Sequence, residues 1–153
     1  RVTKIRSMAQ AQPVAVPITY DELESALLWS SSGAPYENQA VLCRQTGEVF
    51  LKSMHGDFGQ ELPEDIEDGT LYVAMPHKND LDLGSNLVTS FVEAELPQHV
   101  DLVRSFFRQR GAYGKFKDFL ERNRHLERWY EYEANATRVA LCIWASENGF
   151  IVL

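Results

Sequence analysis

Two β-prone runs, "NQAVLCR" (38–44) and "VFLKS" (49–53), are separated only by "QTGE". A connection this short pairs two strands antiparallel, because a parallel pair needs a long crossover. Gly47 supplies a position where φ can turn positive, so a tight turn with a bulge is expected. Ala40, Leu42 and Arg44 then share one face, and Val41 and Cys43 the other. Both faces carry apolar residues, so helices should cover at least one. "TLYVAMP" supplies a third strand from Thr70 to Met75, ended by Pro76.

Helical spacing dominates the rest. "TYDE" has the form of a capping box, with Thr19 as N-cap and Glu22 three residues on. Leu23, Ala26, Leu27 and Ser30 follow at helical intervals, and "SSSG" should stop this helix at Gly33. Trp29 packs on the core or sits half exposed. Met54 to Gly69 is polar, with Gly56, Gly59 and Pro63, and reads as a loop or a short acidic helix. Further on, Leu83, Leu87, Phe91 and Glu95 form one stripe. Pro97 suits the first turn of the next helix, whose stripe is Val100, Val103 and Phe107. Arg104 and Arg108, four apart, should share one side of it, with Gly111 as its C-cap. A short helix with Phe116, Phe119 and Leu120 follows, capped by Asn123. In the last element Trp129, Tyr132, Ala136, Val139 and Ile143 recur at three and four. That spacing is helical, yet "TRVALCIW" alone is β-prone, and "SENG" could turn a hairpin into "FIVL".

The 153 residues fit one domain, with residues 1–17 as a flexible lead-in and 18–153 as the folded unit. The lead-in begins with basic residues, but Gln10, Gln12, Pro13 and Pro17 break its apolar part, so it makes a poor signal peptide. The first methionine is Met8, so the residues before it are expected to be upstream of the natural start or added to it. No apolar run approaches the roughly 20 residues of a membrane span. Cys43 and Cys142 each sit in an apolar run and are expected to be buried, reduced thiols. These features place the chain in the cytoplasm.

Charge is unevenly spread. Eight Arg or Lys against three acids give residues 104–128 a charge of +5, while the whole chain carries −7, leaving −12 elsewhere. "ELPEDIED" (Glu61–Asp68) is one concentrated acidic run. Such polarity steers a charged partner, or folds the acidic loop onto the chain's own basic face.

Catalytic motifs are sparse. "HGD" (His55–Asp57) and "HKND" (His77–Asp80) supply imidazole and carboxylate groups for a metal-assisted hydrolase, but their 22-residue spacing matches no metal motif. No G-x-S-x-G occurs. "GAYGK" has Phe116 where a phosphate loop needs a hydroxyl. No cofactor is implied. The basic-aromatic stretch remains, with Arg104, Arg108, Arg110, Tyr113, Lys115 and Lys117 as candidate binding residues. Cations neutralise phosphates and rings stack on bases, so nucleic acid is one target for it. The bland alternative makes the phenylalanines core and the cations a solvated face paired with the acidic loop.

The same half of the chain resembles the end of uncharacterised protein family 0158. The matching residues are Gly111-Ala112-Tyr113, Phe116-Lys117-Asp118, Leu120, Trp129-Tyr130 with Tyr132, Trp144, and Glu147-Asn148-Gly149. "TGEV" (46–49) and "LYVAMP" fit its front half, and the likeness spans roughly residues 17–150. Ala145 stands where a leucine usually follows the tryptophan, and tyrosine where the family often has phenylalanine. The resemblance implies a helical last element capped by Gly149 and a bacterial, cytosolic setting. It implies no activity.

The sequence therefore predicts an α+β fold: a small antiparallel sheet with a β-hairpin, packed against four or five mostly C-terminal helices. It predicts a non-catalytic binding or regulatory protein whose partner is another protein. Nucleic acid recognition and metal-assisted hydrolysis are the alternatives.

Overall fold

The structure is a computed structural model that describes residues 14–55 and 60–153. It is α+β, and the elements run β1 (Val16–Ile18), α1 (Tyr20–Ser30), β2 (Asn38–Cys43), β3 (Val49–Ser53) and β4 (Tyr72–Ala74), followed by α2 (Ser85–Glu95), α3 (Val100–Phe106), α4 (Ala112–Arg122), α5 (Leu126–Glu147) and β5 (Phe150–Val152). Single 3-10 turns at Lys78–Leu81 and Pro97–His99 precede α2 and α3.

Strands β3, β2 and β4 form the antiparallel sheet in that order, with Ala40 opposite Leu51 and Leu42 opposite Val73. Gly47 has φ 78°, and a Cβ there would come within 3.0 Å of the Pro17 carbonyl oxygen. Turn geometry and close approach both ask for glycine. Ala40 and Leu42 are fully buried in the main cluster with Leu23, Ala26 and Leu27 of α1. Trp29 is half-buried, and its Nε1 donates to the carbonyls of Gln39 (3.0 Å) and Lys52 (3.2 Å), tying α1 to the sheet. The capping box forms: the Glu22 amide donates to the Thr19 hydroxyl at 3.2 Å, and the Thr19 amide to the Glu22 carboxylate at 3.2 Å.

One expectation about the chain ends is corrected and one open alternative is settled. Val16 and Pro17, expected in the lead-in, belong to β1, which pairs parallel with β5. The Val16 amide donates to the Gly149 carbonyl and the Leu153 amide to that of Ile18. Among the described residues β1 has one neighbouring strand, and Pro17 is tolerated because its missing N–H breaks no bond to that strand. Residues 1–13 of the lead-in lie outside the described residues. "SENG" forms no hairpin. The helix runs unbroken to Glu147, Gly149 takes φ 84°, and the chain leaves to meet β1.

The helical reading of the last element holds, but its face is half right. Trp129 is buried, whereas Val139 and Ile143 are about half exposed, at 51% and 55%. The C-terminal half buries Leu141, Trp144 and Ala145 instead. A 22-residue helix packs on different neighbours along its length, on α2 and α4 near Trp129 and on β5 near Trp144, so its buried face changes. Phe91 and Phe116 meet Trp129 edge-on at 5.4 and 5.1 Å, joining α2, α4 and α5 in one core.

Candidate functional site

Helix α3 ends earlier than its sequence predicts. It stops at Phe106, and the amides of Phe107, Arg108 and Gln109 donate to carbonyls three residues back. Phe106 meets Phe119 edge-on at 6.0 Å, and Phe107 meets Tyr113 at 5.1 Å. Both consecutive rings are thus held by α4, and a turn lets them aim there together. Arg108 accordingly lies beyond the helix and not on one helical side with Arg104. Gly111, expected as the C-cap of α3, is the N-cap residue of α4 at φ 70°. Among the described residues a Cβ there would meet nothing within 4 Å, so it is the left-handed backbone that favours glycine.

The six candidate binding residues divide into two groups. Arg104 is exposed, with Nη2 3.6 Å from the Glu93 carboxylate of α2. Arg108 and Arg110 are exposed in the turn, and neither forms an ion pair among the described residues. Lys115 donates to the Gln109 side chain across the same turn. Tyr113 and Lys117, four apart on α4, instead face Lys78 and α5. The Lys78 ammonium sits 4.9 Å from the Tyr113 ring centroid, and the Lys117 ammonium 5.8 Å from that of Tyr130. Burial, with the Glu133 charge, pushes the Tyr113 phenol above its ordinary range.

Tyr130 and Glu133 belong to a feature that the sequence reading missed. Where α1 and the N-terminal half of α5 lie side by side, with Lys78 and Leu83 at one end, a cavity of about 420 Å³ remains. Leu27, Leu28, Leu83 and Ala134 give it apolar walls, and Glu24, Lys78 and Glu133 bring charge. Glu133 is half-buried; desolvation pushes its carboxyl above the ordinary carboxylate range, and Lys117 and Lys78 only partly offset that. The Tyr20 hydroxyl donates to Glu24 at 3.4 Å, and the Arg138 guanidinium lies 4.0 Å over the Tyr20 ring. The sequence signal was present: Tyr130, Ala134, Thr137, Leu141 and Trp144 recur at four, three, four and three. That stripe competes with the one through Trp129.

Among the described residues, His55 is not brought together with His77 and Asp80. The His55 Nε2 lies 2.6 Å from Glu37, whose carboxyl the Ala34 amide and then His55 hold below its ordinary value. His77 caps a 3-10 turn, its Nδ1 accepting from the Asn79 amide at 3.1 Å. His77 and Asp80 line a smaller cavity of about 260 Å³ that His55 does not reach, and Asp57 lies outside the described residues. Among the described residues no three His, Cys, Asp or Glu are grouped to hold a metal. Both cysteines are free and only half-buried, less than expected. Burial raises the Cys43 thiol, but the Thr46 hydroxyl and the Gln45 and Thr46 amides outweigh it and leave it below the ordinary value.

The acidic run stays with the sheet. Glu67 pairs with Lys52 at 2.7 Å, Asp65 accepts from the Tyr72 hydroxyl at 3.1 Å, and Asp68 accepts from Thr70. Among the described residues no ion pair joins Glu61–Asp68 to residues 104–128; Arg104 and Arg128 pair with Glu93 and Glu95 of α2. Folding of the acidic loop onto the basic face is thus not what these contacts display. Among the described residues no helix is long and apolar enough to cross a membrane. No protein-family model, curated protein or solved structure matches the chain.

Proposed function

We propose that this chain is a non-catalytic binding or regulatory protein that engages another protein through the turn between α3 and α4. Arg104, Arg108, Arg110 and Lys115 form the contact face, and Tyr113 and Lys117 hold α4 in place beside it. One observation carries this reading: Arg108 and Arg110 project from a glycine-reversed turn without an acidic partner among the described residues. Exposed cations left uncompensated favour an acidic partner surface and speed its approach.

Nucleic acid is the second reading, and the aromatic residues argue against it. Stacking on bases needs open ring faces. Phe116 is fully buried, and Tyr113 is held edge-on by Phe107 and covered by Lys78. A cytoplasmic, bacterial setting belongs to the same proposal and rests on the resemblance to family 0158.

The test is capture of the protein with its partners from its own cell extract, with and without nuclease, beside an Arg108→Glu/Arg110→Glu variant. A partner protein that survives nuclease and is lost from the variant supports the reading. Loss on nuclease treatment transfers the face to nucleic acid, and equal capture by the variant removes the turn from the interaction.

A further inference from the structure

The groove between α1 and α5 is independent of the basic turn and has a different chemistry. Its walls are apolar: Leu27 and Leu28 on α1, Leu83 ahead of α2, and Ala134 on α5. Leu28 is 67% exposed and Tyr130 46%, so this apolar surface stays open to solvent. A cavity of about 420 Å³ is within the range of small-molecule sites, roughly 300–1,000 Å³.

Glu133 decides what chemistry would enter. Its carboxylate is half-buried, yet among the described residues it forms neither a hydrogen bond nor an ion pair within 4.0 Å. The two nearby ammonium groups act on Glu133 from a distance and not as ion pairs, Lys78 resting over Tyr113 and Lys117 over Tyr130. Glu24 lines the same cavity from α1, and among the described residues its one side-chain hydrogen bond is from the Tyr20 hydroxyl at 3.4 Å. The cavity thus offers two carboxylates with spare acceptor capacity beside apolar walls. Lys78 lines the same cavity and, with Lys117, offsets only part of the desolvation of Glu133. A carboxylate partly removed from water and without a direct ion pair gains from a cation that arrives with its own apolar body.

We propose that this groove is a binding site for a small amphipathic cation, an aliphatic or aromatic amine, with its ammonium on Glu133 and Glu24 and its apolar body on Leu27, Leu28, Leu83 and Ala134. Two ammonium donors to carboxylates give orientation, and the leucine walls give affinity.

The test compares octylammonium, octanoate and octanol, each below its micelle concentration, by calorimetric titration and by amide chemical-shift mapping of the full chain. Octylammonium is expected to saturate one site, with shifts at Leu28, Ser31, Glu133 and Ala134. Octanoate, matched in apolar body, is expected to bind at least about tenfold more weakly. Glu133→Gln should weaken octylammonium about tenfold and leave octanol unchanged. Arg108→Glu, expected to weaken binding of the partner protein, should leave octylammonium affinity as it is, because the basic turn is a separate surface; the protein-binding reading and this one therefore fail independently. Equal binding of octylammonium and octanoate overturns the proposal, as does absent saturation or unchanged affinity in Glu133→Gln. Should Glu133→Gln melt at a lower temperature than the parent, Glu24→Gln provides the same comparison on the opposite wall.

Discussion

The indole of Trp129 meets the ring of Phe116 edge-on, with centroids 5.1 Å apart, and the ring of Phe91 likewise at 5.4 Å. Trp129 is 1% exposed, so α2, α4 and α5 share this one side chain as a common core element. Trp129→Ala would empty that site, and it is expected to cost about 3–5 kcal/mol. Its Nε1 is buried without a hydrogen-bond partner among the described residues, so phenylalanine would remove an unsatisfied donor along with some volume. Trp129→Phe is therefore expected to cost clearly less than Trp129→Ala. Urea denaturation of both variants checks the order, and equal losses would mean that ring packing contributes little here.

Charge reversal on the basic turn separates a binding face from a structural one. Arg108 makes no ion pair among the described residues, so Arg108→Glu should move stability by less than about 0.5 kcal/mol. Arg104→Glu places two carboxylates where Arg104 and Glu93 now sit 3.6 Å apart, with a cost of about 0.2–1 kcal/mol. Thermal melts of the two variants measure this directly. Unfolding of Arg108→Glu would make the turn an internal lock and end its role as a contact face.

The elements were legible in the sequence wherever local chemistry and long-range packing agree. Thr19 and Glu22 announce a helix start, and Gly47 a hairpin, because a few neighbouring atoms settle each geometry. The end of α3 was not legible. Phe106 and Phe107 unwind it early to reach Phe119 and Tyr113, and no local signal encodes a contact with a later helix. The pairing of β1 with β5 hides for the same reason, since Val16 and Phe150 stand at opposite ends of the chain. The candidate site was half legible. The bases of residues 104–117 are visible as composition, but their division between an open turn and the Tyr113–Lys78 contact depends on where α5 lies. The groove escaped because a 22-residue helix carries two apolar stripes, and spacing alone does not say which one stays open.

Glu133 makes stability depend on pH in a definite direction. Its carboxyl titrates above its ordinary range in the folded chain, chiefly through desolvation, while Lys117 and Lys78 pull the other way. Folding therefore favours the protonated form. The contribution is fully present below the ordinary carboxylate value and is lost as pH rises through the raised one. At neutral pH the ionised group is a burden, and Glu133→Gln should stabilise the chain. The gain stays below about 1 kcal/mol because half the side chain still reaches solvent. It should vanish when melts are repeated at pH 4, and a gain that persists there would point to packing and not to charge.

Tyr36 stores strain in the loop before β2. It sits at φ 70° with its side chain 77% exposed, so little packing repays the left-handed backbone. For a residue with a Cβ this conformation costs roughly 1–2 kcal/mol, and glycine avoids it. Glycine also widens the unfolded ensemble, which returns roughly 0.5–1 kcal/mol of that relief. Tyr36→Gly is thus expected to stabilise the chain by about 0.5–1 kcal/mol, and Tyr36→Asn by a smaller amount. The ring does line the cavity of His77 and Asp80, so a stabilised Tyr36→Gly variant is also the reagent that asks whether this exposed ring has a use. Chemical denaturation of the three proteins decides it: a destabilised Tyr36→Gly would show that the packing of the tyrosine side chain outweighs the backbone strain.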